Sequence, residues 1–245
     1  MCRINILVGI FISLLTISCA HKSGHNKRER MLHSIGASKE YESPKTSSLV
    51  TKKSSNRTIL DGSEIFRRYN SAIFMVYTTD GSYVYQGSGF FIGENGLAVS
   101  NYHVFKGTGI GAEVIKMPND DTIYKVAEIY QRSEDEDFII FRVDYDNNNY
   151  IPIASKSPEI GQRVYAIGSP RGLENTFSSG EVSQWRGENL MQISALIDHG
   201  SSGGALINEY GEVVGITSGT FVGDSQANLN YAWSIDVVKP YVKFE

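Results

Sequence analysis

The chain has 245 residues, with 23 Lys and Arg against 27 Asp and Glu, a formal net charge of −4, and two cysteines. Both cysteines, Cys2 and Cys19, fall in the first 19 positions, so the rest of the chain must hold its core without a disulfide, which a domain of this length can do. The charge is unevenly placed: positions 20–60 carry nine Lys and Arg against three Asp and Glu, net +6, while 61–245 is net −11. That acidic balance argues against nucleic acid as a partner, since phosphate binding needs a basic surface.

The N-terminus reads as a signal peptide over 1–19. Arg3 precedes the almost wholly apolar run Ile4 to Ile17, which is too short for a permanent membrane span and suits a secretory apolar region. Two exits are open. Cys19 after Leu15-Thr16-Ile17-Ser18 is similar to a lipobox, which makes Cys19 the lipidation site; Ser18-Cys19-Ala20 also offers small residues to an ordinary signal peptidase. Residues 20–60 are rich in Ser, Lys, Arg and Thr and poor in large apolar residues, so they are expected to form a disordered basic tether. The tether is read as a plain spacer or as a segment that touches anionic headgroups.

From position 61 the pattern is β. Asp61 to Tyr69 predicts one short helix, with Ser63 as its cap. Strands are expected over 72–78, 83–92, 97–100, 112–117, 123–130 and 138–143. A second set is expected over 163–167, 176–184, 190–194, 205–207, 213–217 and 231–235. Two groups of six short strands, split near 144–150, predict an all-β domain over 61–245 made of two six-stranded antiparallel β-barrels, about 71–145 and about 151–240. No spaced Cys/His set and no phosphate loop is seen, so neither metal nor cofactor is expected.

Three places carry chemistry. Gly200-Ser201-Ser202-Gly203-Gly204 leads straight into the apolar Ala205-Leu206-Ile207. A serine in such a glycine-rich turn can act as a nucleophile while neighbouring backbone N–H groups meet an oxyanion. His103 follows the apolar run Leu97-Ala98-Val99-Ser100, where it can serve as the base a serine hydroxyl needs. Asp137 ends the acidic stretch Ser133-Glu134-Asp135-Glu136 and abuts Phe138-Ile139-Ile140-Phe141, a junction suited to a partly buried carboxylate; Asp135 is the alternative if that strand starts later. Each alone has a plainer reading, as a loop, a core histidine or a solvated acidic turn.

Taken in order, these strings resemble the trypsin-fold serine proteases, and within them the HtrA (Deg) branch. Gly87-Ser88-Gly89-Phe90, Ser100 to Val104, Asp137 to Ile139 and Gly200 to Gly204 look like the family's four signature strings. Ile160 to Leu173 and Gly180-Glu181-Val182-Ser183 look like two strands between them. The resemblance implies a triad of His103, Asp137 and Ser202, and an oxyanion hole from Gly200, Ser201 and Ser202. It also implies a specificity pocket lined by Leu196, Ile197, Ile216, Thr217 and Ser218. An apolar pocket that takes aliphatic residues is expected, with Asp198 as the alternative reader of Lys or Arg. Ser201 stands where the family has Asn, and Asp198-His199 replaces its usual pair. The reading expects no PDZ module after Glu245.

What the resemblance implies overall is a serine endopeptidase acting on polypeptides, exported to a bacterial envelope, anchored through Cys19 or soluble, and assembled as a homotrimer. The alternative is a catalytically latent binding or chaperone-like protein on the same fold, with Gly172 to Gly180 and Arg186 to Asn189 as the segments to switch.

Overall fold

The computed structural model describes residues 49–51, 58–108, 112–147, 149–220 and 229–244. The leader, Cys19 and most of the expected tether lie outside the described residues.

The described chain begins with β1 (Val50–Thr51) and then α1 (Gly62–Tyr69). Barrel one follows, from β2 (Ile73–Thr79), β3 (Val84–Phe91), β4 (Leu97–Ser100), β5 (Val114–Lys116), β6 (Ile123–Ser133) and β7 (Phe138–Val143), with α2 (Tyr102–Phe105) after β4. Barrel two is made of β8 (Arg163–Gly168), β9 (Thr176–Trp185), β10 (Leu190–Ile193), β11 (Ala205–Asn208), β12 (Val213–Thr220) and β13 (Asn230–Ser234), and β14 (Lys243–Phe244) follows outside it. Each barrel is closed, in the orders β2-β3-β4-β7-β6-β5 and β10-β13-β12-β11-β8-β9, and every pairing within them is antiparallel. Closure gives every barrel strand a neighbour on both sides, though the end of β12 beyond Thr217 is paired with β13 alone.

The uninterrupted apolar runs have a specific cause. Successive side chains of a strand point to opposite faces. In β7, Ile139 and Phe141 point into barrel one, while Phe138 and Ile140 point into a separate apolar layer between the barrels. The same alternation sends Ile73, Phe90 and Val99 outward and Phe74, Phe91 and Ala98 inward. Barrel two does likewise: Tyr165, Ile167, Ala205, Ile207 and Ile216 enter the shared layer, and Val164, Ala166, Leu206 and Val214 fill the barrel. Strands buried on both faces need apolar residues at every position. The outward strand β6 has only one covered face and accordingly carries Lys125, Glu128, Gln131 and Arg132.

The helix cap differs from the sequence expectation. Asp61, not Ser63, is the N-cap: its carboxylate accepts from the Glu64 N–H at 2.8 Å, and Ser63 Oγ donates to the same oxygen. An ionised cap at a helix N-terminus is favoured by both the hydrogen bond and the helix dipole. The single fully buried residue of α1, Ile65, pins the helix to the inter-barrel layer.

Residues 49–51 also depart from the expected tether. Val50–Thr51 pairs in parallel with Lys243–Phe244, Leu49 is buried in the shared layer, and Thr51 Oγ1 donates to the Ile92 carbonyl at 2.6 Å. Leu60 is buried as well, its N–H bonded to the Glu209 carbonyl. Leu49 and Leu60 are thus apolar anchors in an otherwise polar stretch of sequence.

The turn before β4 shows how closely the backbone is packed. Gly96 has φ +75°, and a Cβ there would lie 2.0 Å from the Val143 carbonyl oxygen. Gly107 has a similar φ of +83° with nothing within 4 Å. An Ala at either position meets the left-handed penalty of roughly 1–2 kcal/mol, and only Gly96→Ala adds a backbone clash. Urea unfolding is therefore expected to show Gly96→Ala losing at least twice the stability that Gly107→Ala loses; equal losses would contradict the packing described.

Candidate active site

Asp137 is the hub of the site. It occupies the turn between β6 and β7 with φ +48°, a left-handed conformation that Asp tolerates better than most residues. The Asn101 side chain fixes that turn by donating Nδ2–H to the Asp137 carbonyl at 2.8 Å. The carboxylate then meets three groups. Oδ1 accepts from the His103 backbone N–H at 2.9 Å, Oδ2 lies 2.8 Å from His103 Nδ1, and Oδ2 also accepts from Ser218 Oγ at 2.9 Å. A carboxylate accepts, so the imidazole tautomer that pairs with Asp137 has its proton on Nδ1 and leaves Nε2 as the acceptor. Asp135 is exposed and is not the residue on His103.

His103 sits on α2, one turn after β4. Val104 and Phe105 of the same turn are buried in barrel one, which leaves the imidazole half-exposed on the other side. Barrel one therefore supplies His103 and Asp137, while barrel two supplies the serine turn after β10.

Ser202 Oγ donates to the Ser218 carbonyl at 2.7 Å, and among the described residues no hydrogen bond joins it to His103. Ser218 thus touches both parts of the site, through its hydroxyl to Asp137 and through its carbonyl to Ser202. The sequence reading placed Ser218 on the wall of a pocket. The signal for its position is the small hydroxyl residue just after the buried strand segment Val213 to Thr217.

The serine turn is held from several sides. Gly200 and Gly203 take φ of +96° and +87°. The Ser202 carbonyl accepts from the Ser88 N–H, the Ser201 carbonyl from Thr217 Oγ1 and the Gly204 N–H, and the Gly200 carbonyl from Ser88 Oγ. The Ser201 N–H donates to the Asp198 carbonyl, so it is already committed and differs in this from the expected oxyanion set. Among the described residues the N–H groups of Gly200 and Ser202 have no protein acceptor.

The other residues expected in a specificity pocket are distributed differently. Ile216 is fully buried in the inter-barrel layer, and the register shift of β12 between Val213 and Gly215 lets it face away from Val214 two residues earlier. The Thr217 hydroxyl is used on Ser201. Ile197 packs against the core of barrel two, and Leu196 is 62% exposed. Asp198, the alternative cation reader, is paired with Arg171 Nε at 2.8 Å and bonded to the His199 N–H. Burial raises the Asp198 carboxyl, but the His199 N–H and the Arg171 guanidinium outweigh it and hold the group below its ordinary value.

The described residues hold no cluster of three His, Cys, Asp or Glu able to bind a metal ion. Nor is any described helix long and apolar enough to cross a membrane.

The family model for the trypsin-like peptidase domain matches residues 87–216, more than half of the chain. The chain belongs to the trypsin-like peptidase family. It is 32% identical over 165 residues to "Protease Do-like 1, chloroplastic" of Arabidopsis thaliana, covering 62% of this chain and 36% of that protein. It is 35% identical over 160 residues to a "Probable periplasmic serine endoprotease DegP-like" of Halomonas elongata, covering 62% and 33%. The crystal structure of the serine endoprotease from Yersinia pestis superimposes with a TM-score of 0.66 at 27% identity, covering 75% of this chain and 66% of that one. The chain spans about a third of the length of the curated relatives it matches.

One further carboxylate ties the two barrels beside the site. Glu174, in the loop after β8, accepts from the Asn119 N–H and from Lys116 Nζ, each at 3.0 Å. These two bonds, the Asn119 N–H first, hold its carboxyl below the ordinary glutamate value. A carboxylate held low in the folded state contributes fully above its unfolded value and loses that contribution as pH falls through the lower folded value. Stability of the wild type should therefore fall more steeply below the ordinary glutamate range than that of Glu174→Gln, as read from urea midpoints between pH 3 and 6. Parallel slopes would show that the clamp contributes nothing.

Proposed function

We propose that the protein is a serine endopeptidase that hydrolyses polypeptides through an acyl-enzyme. The observation that carries the reading is the Asp137 carboxylate, bonded to His103 Nδ1 and joined through Ser218 to Ser202. In this reading Ser202 Oγ attacks the scissile carbonyl carbon and His103 Nε2 takes its proton. Asp137 stabilises the imidazolium that forms. The N–H groups of Gly200 and Ser202 receive the oxyanion. The imidazolium then protonates the leaving amine, and water resolves the acyl-enzyme by the same proton route in reverse.

The Ser202 hydroxyl must turn from the Ser218 carbonyl to His103 for this to happen. A substrate strand laid along the 218–220 edge offers a backbone N–H to that carbonyl and so releases the hydroxyl. Cleavage after aliphatic residues is the proposed preference, supported by the exposed apolar side chain of Leu196 near the serine turn. The relatives' names, periplasmic endoprotease among them, support an exported envelope protein. Lipidation at Cys19 and a homotrimer are proposed as its anchor and assembly.

A second reading, a latent protein kept for binding, is favoured by one observation: the resting Ser202 hydroxyl is bonded away from the base. Turnover decides between the two. Hydrolysis of an unfolded protein such as casein is expected from the wild type. Ser202→Ala should lower kcat by about a million-fold and Asp137→Asn by about ten-thousand-fold. A folded wild type with no turnover above Ser202→Ala would select the latent reading.

A further inference from the structure

We propose that Gln86 is a positioning residue for the oxyanion turn, acting from barrel one through the loop at 169–172. The inference rests on the protease reading above and adds to it a residue that lies outside the triad and the serine turn.

Gln86 stands on β3, immediately before the Gly87-Ser88-Gly89 run, and its carboxamide crosses to barrel two. Its Nε2–H donates to the Ser169 carbonyl at 2.7 Å, and its Oε1 accepts from the Gly172 N–H at 3.0 Å. The amide orientation is forced, since a carbonyl needs the donor and an N–H needs the acceptor. The two bonds span both ends of a short helical turn, Pro170–Gly172, whose middle residue Arg171 has φ +52°.

That turn in turn grips the serine loop. The Arg171 N–H donates to the His199 carbonyl at 2.8 Å, and its guanidinium pairs with Asp198. The His199 carbonyl and the Gly200 N–H belong to one planar trans peptide and point in opposite directions. Fixing the carbonyl on Arg171 therefore fixes the direction of the Gly200 N–H, which has no protein acceptor among the described residues. Gln86 also bears on the turn directly: a Cβ on Gly200 would lie 2.7 Å from Gln86 Oε1 and 3.0 Å from the Arg171 nitrogen. The carboxamide thus occupies the space into which the Gly200 backbone would otherwise relax. The Arg171–Asp198 pair is exposed on both sides, so the backbone tie is the stronger restraint.

A donor held by a rigid brace acts on the transition state and not on ground-state binding. In the full chain, Gln86→Met keeps length and volume but removes both bonds, and Gln86→Glu keeps the acceptor for the Gly172 N–H while facing the Ser169 carbonyl with a carboxylate. Both variants are expected to lower kcat by roughly 10- to 100-fold, below the loss of a whole oxyanion donor, with KM changed less than about threefold. The decisive readout is a peptide aldehyde built on the best-cleaved sequence, whose adduct with Ser202 places an oxyanion in the hole, beside the matching alcohol, which forms none. The aldehyde should weaken in parallel with kcat, and the alcohol should bind as before. Thermal unfolding of each variant identifies any that is merely misfolded, and the other variant then carries the test. Folded variants that retain wild-type kcat, or that weaken aldehyde and alcohol equally, would overturn the proposal. A wild type no more active than Ser202→Ala would overturn the protease reading and this inference together.

Discussion

The apolar layer between the two barrels is the constraint on which the rest depends. It is built from residues of β2, β3, β4 and β7 on one side and of β8, β11 and β12 on the other, with Ile65 of α1 and Leu49 closing it. Because each of these strands fills its own barrel with the opposite set of side chains, a slip of one residue in any of them would exchange the two faces. The register of the sheets is thereby tied to the seating of one barrel on the other. The site is a consequence of that seating, since His103 and Asp137 come from one barrel and Ser202 and Ser218 from the other.

On this base the polar contacts across the boundary do the finer positioning. Ser218 reaches Asp137, Ser88 reaches the serine turn, and Glu174 and Gln86 carry the 169–175 loop on barrel one. Hydrogen bonds of this kind contribute little net stability, on the order of 1 kcal/mol each. Their value lies in direction: they fix where a carboxylate oxygen or a peptide N–H points. The left-handed conformations of Asp137, Arg171 and Gly200 fall at the places where these ties converge. Such conformations persist where the surroundings over-determine them.

Much of this was legible in the sequence, and the reason is physical. Runs such as Phe138-Ile139-Ile140-Phe141 advertise a strand buried on both faces, and the strands expected at 97–100 and 138–143 are those observed. His103, Asp137 and the serine turn stood out because glycine, histidine and an acid at strand junctions are costly to place without cause. What was not legible depended on contacts between distant segments. Ser218 and Ile216 lie two residues apart on β12, and periodicity alone could not say that one faces Asp137 and the other the core. The Gln86 bonds to Ser169 and Gly172 join residues more than eighty positions apart, and nothing in a lone Gln before a glycine announces them. Asp61 displaced Ser63 as the helix cap by a choice between two suitable residues two positions apart.

The central claim is that the residues gathered around Asp137 activate Ser202 as a nucleophile. Its most direct test is reaction of the folded protein with a fluorophosphonate, followed by mass spectrometry to locate the adduct. Modification confined to Ser202, and lost in His103→Ala while the fold is retained, is the result this account predicts. A folded wild type that stays unmodified, or that reacts equally well without His103, would contradict it.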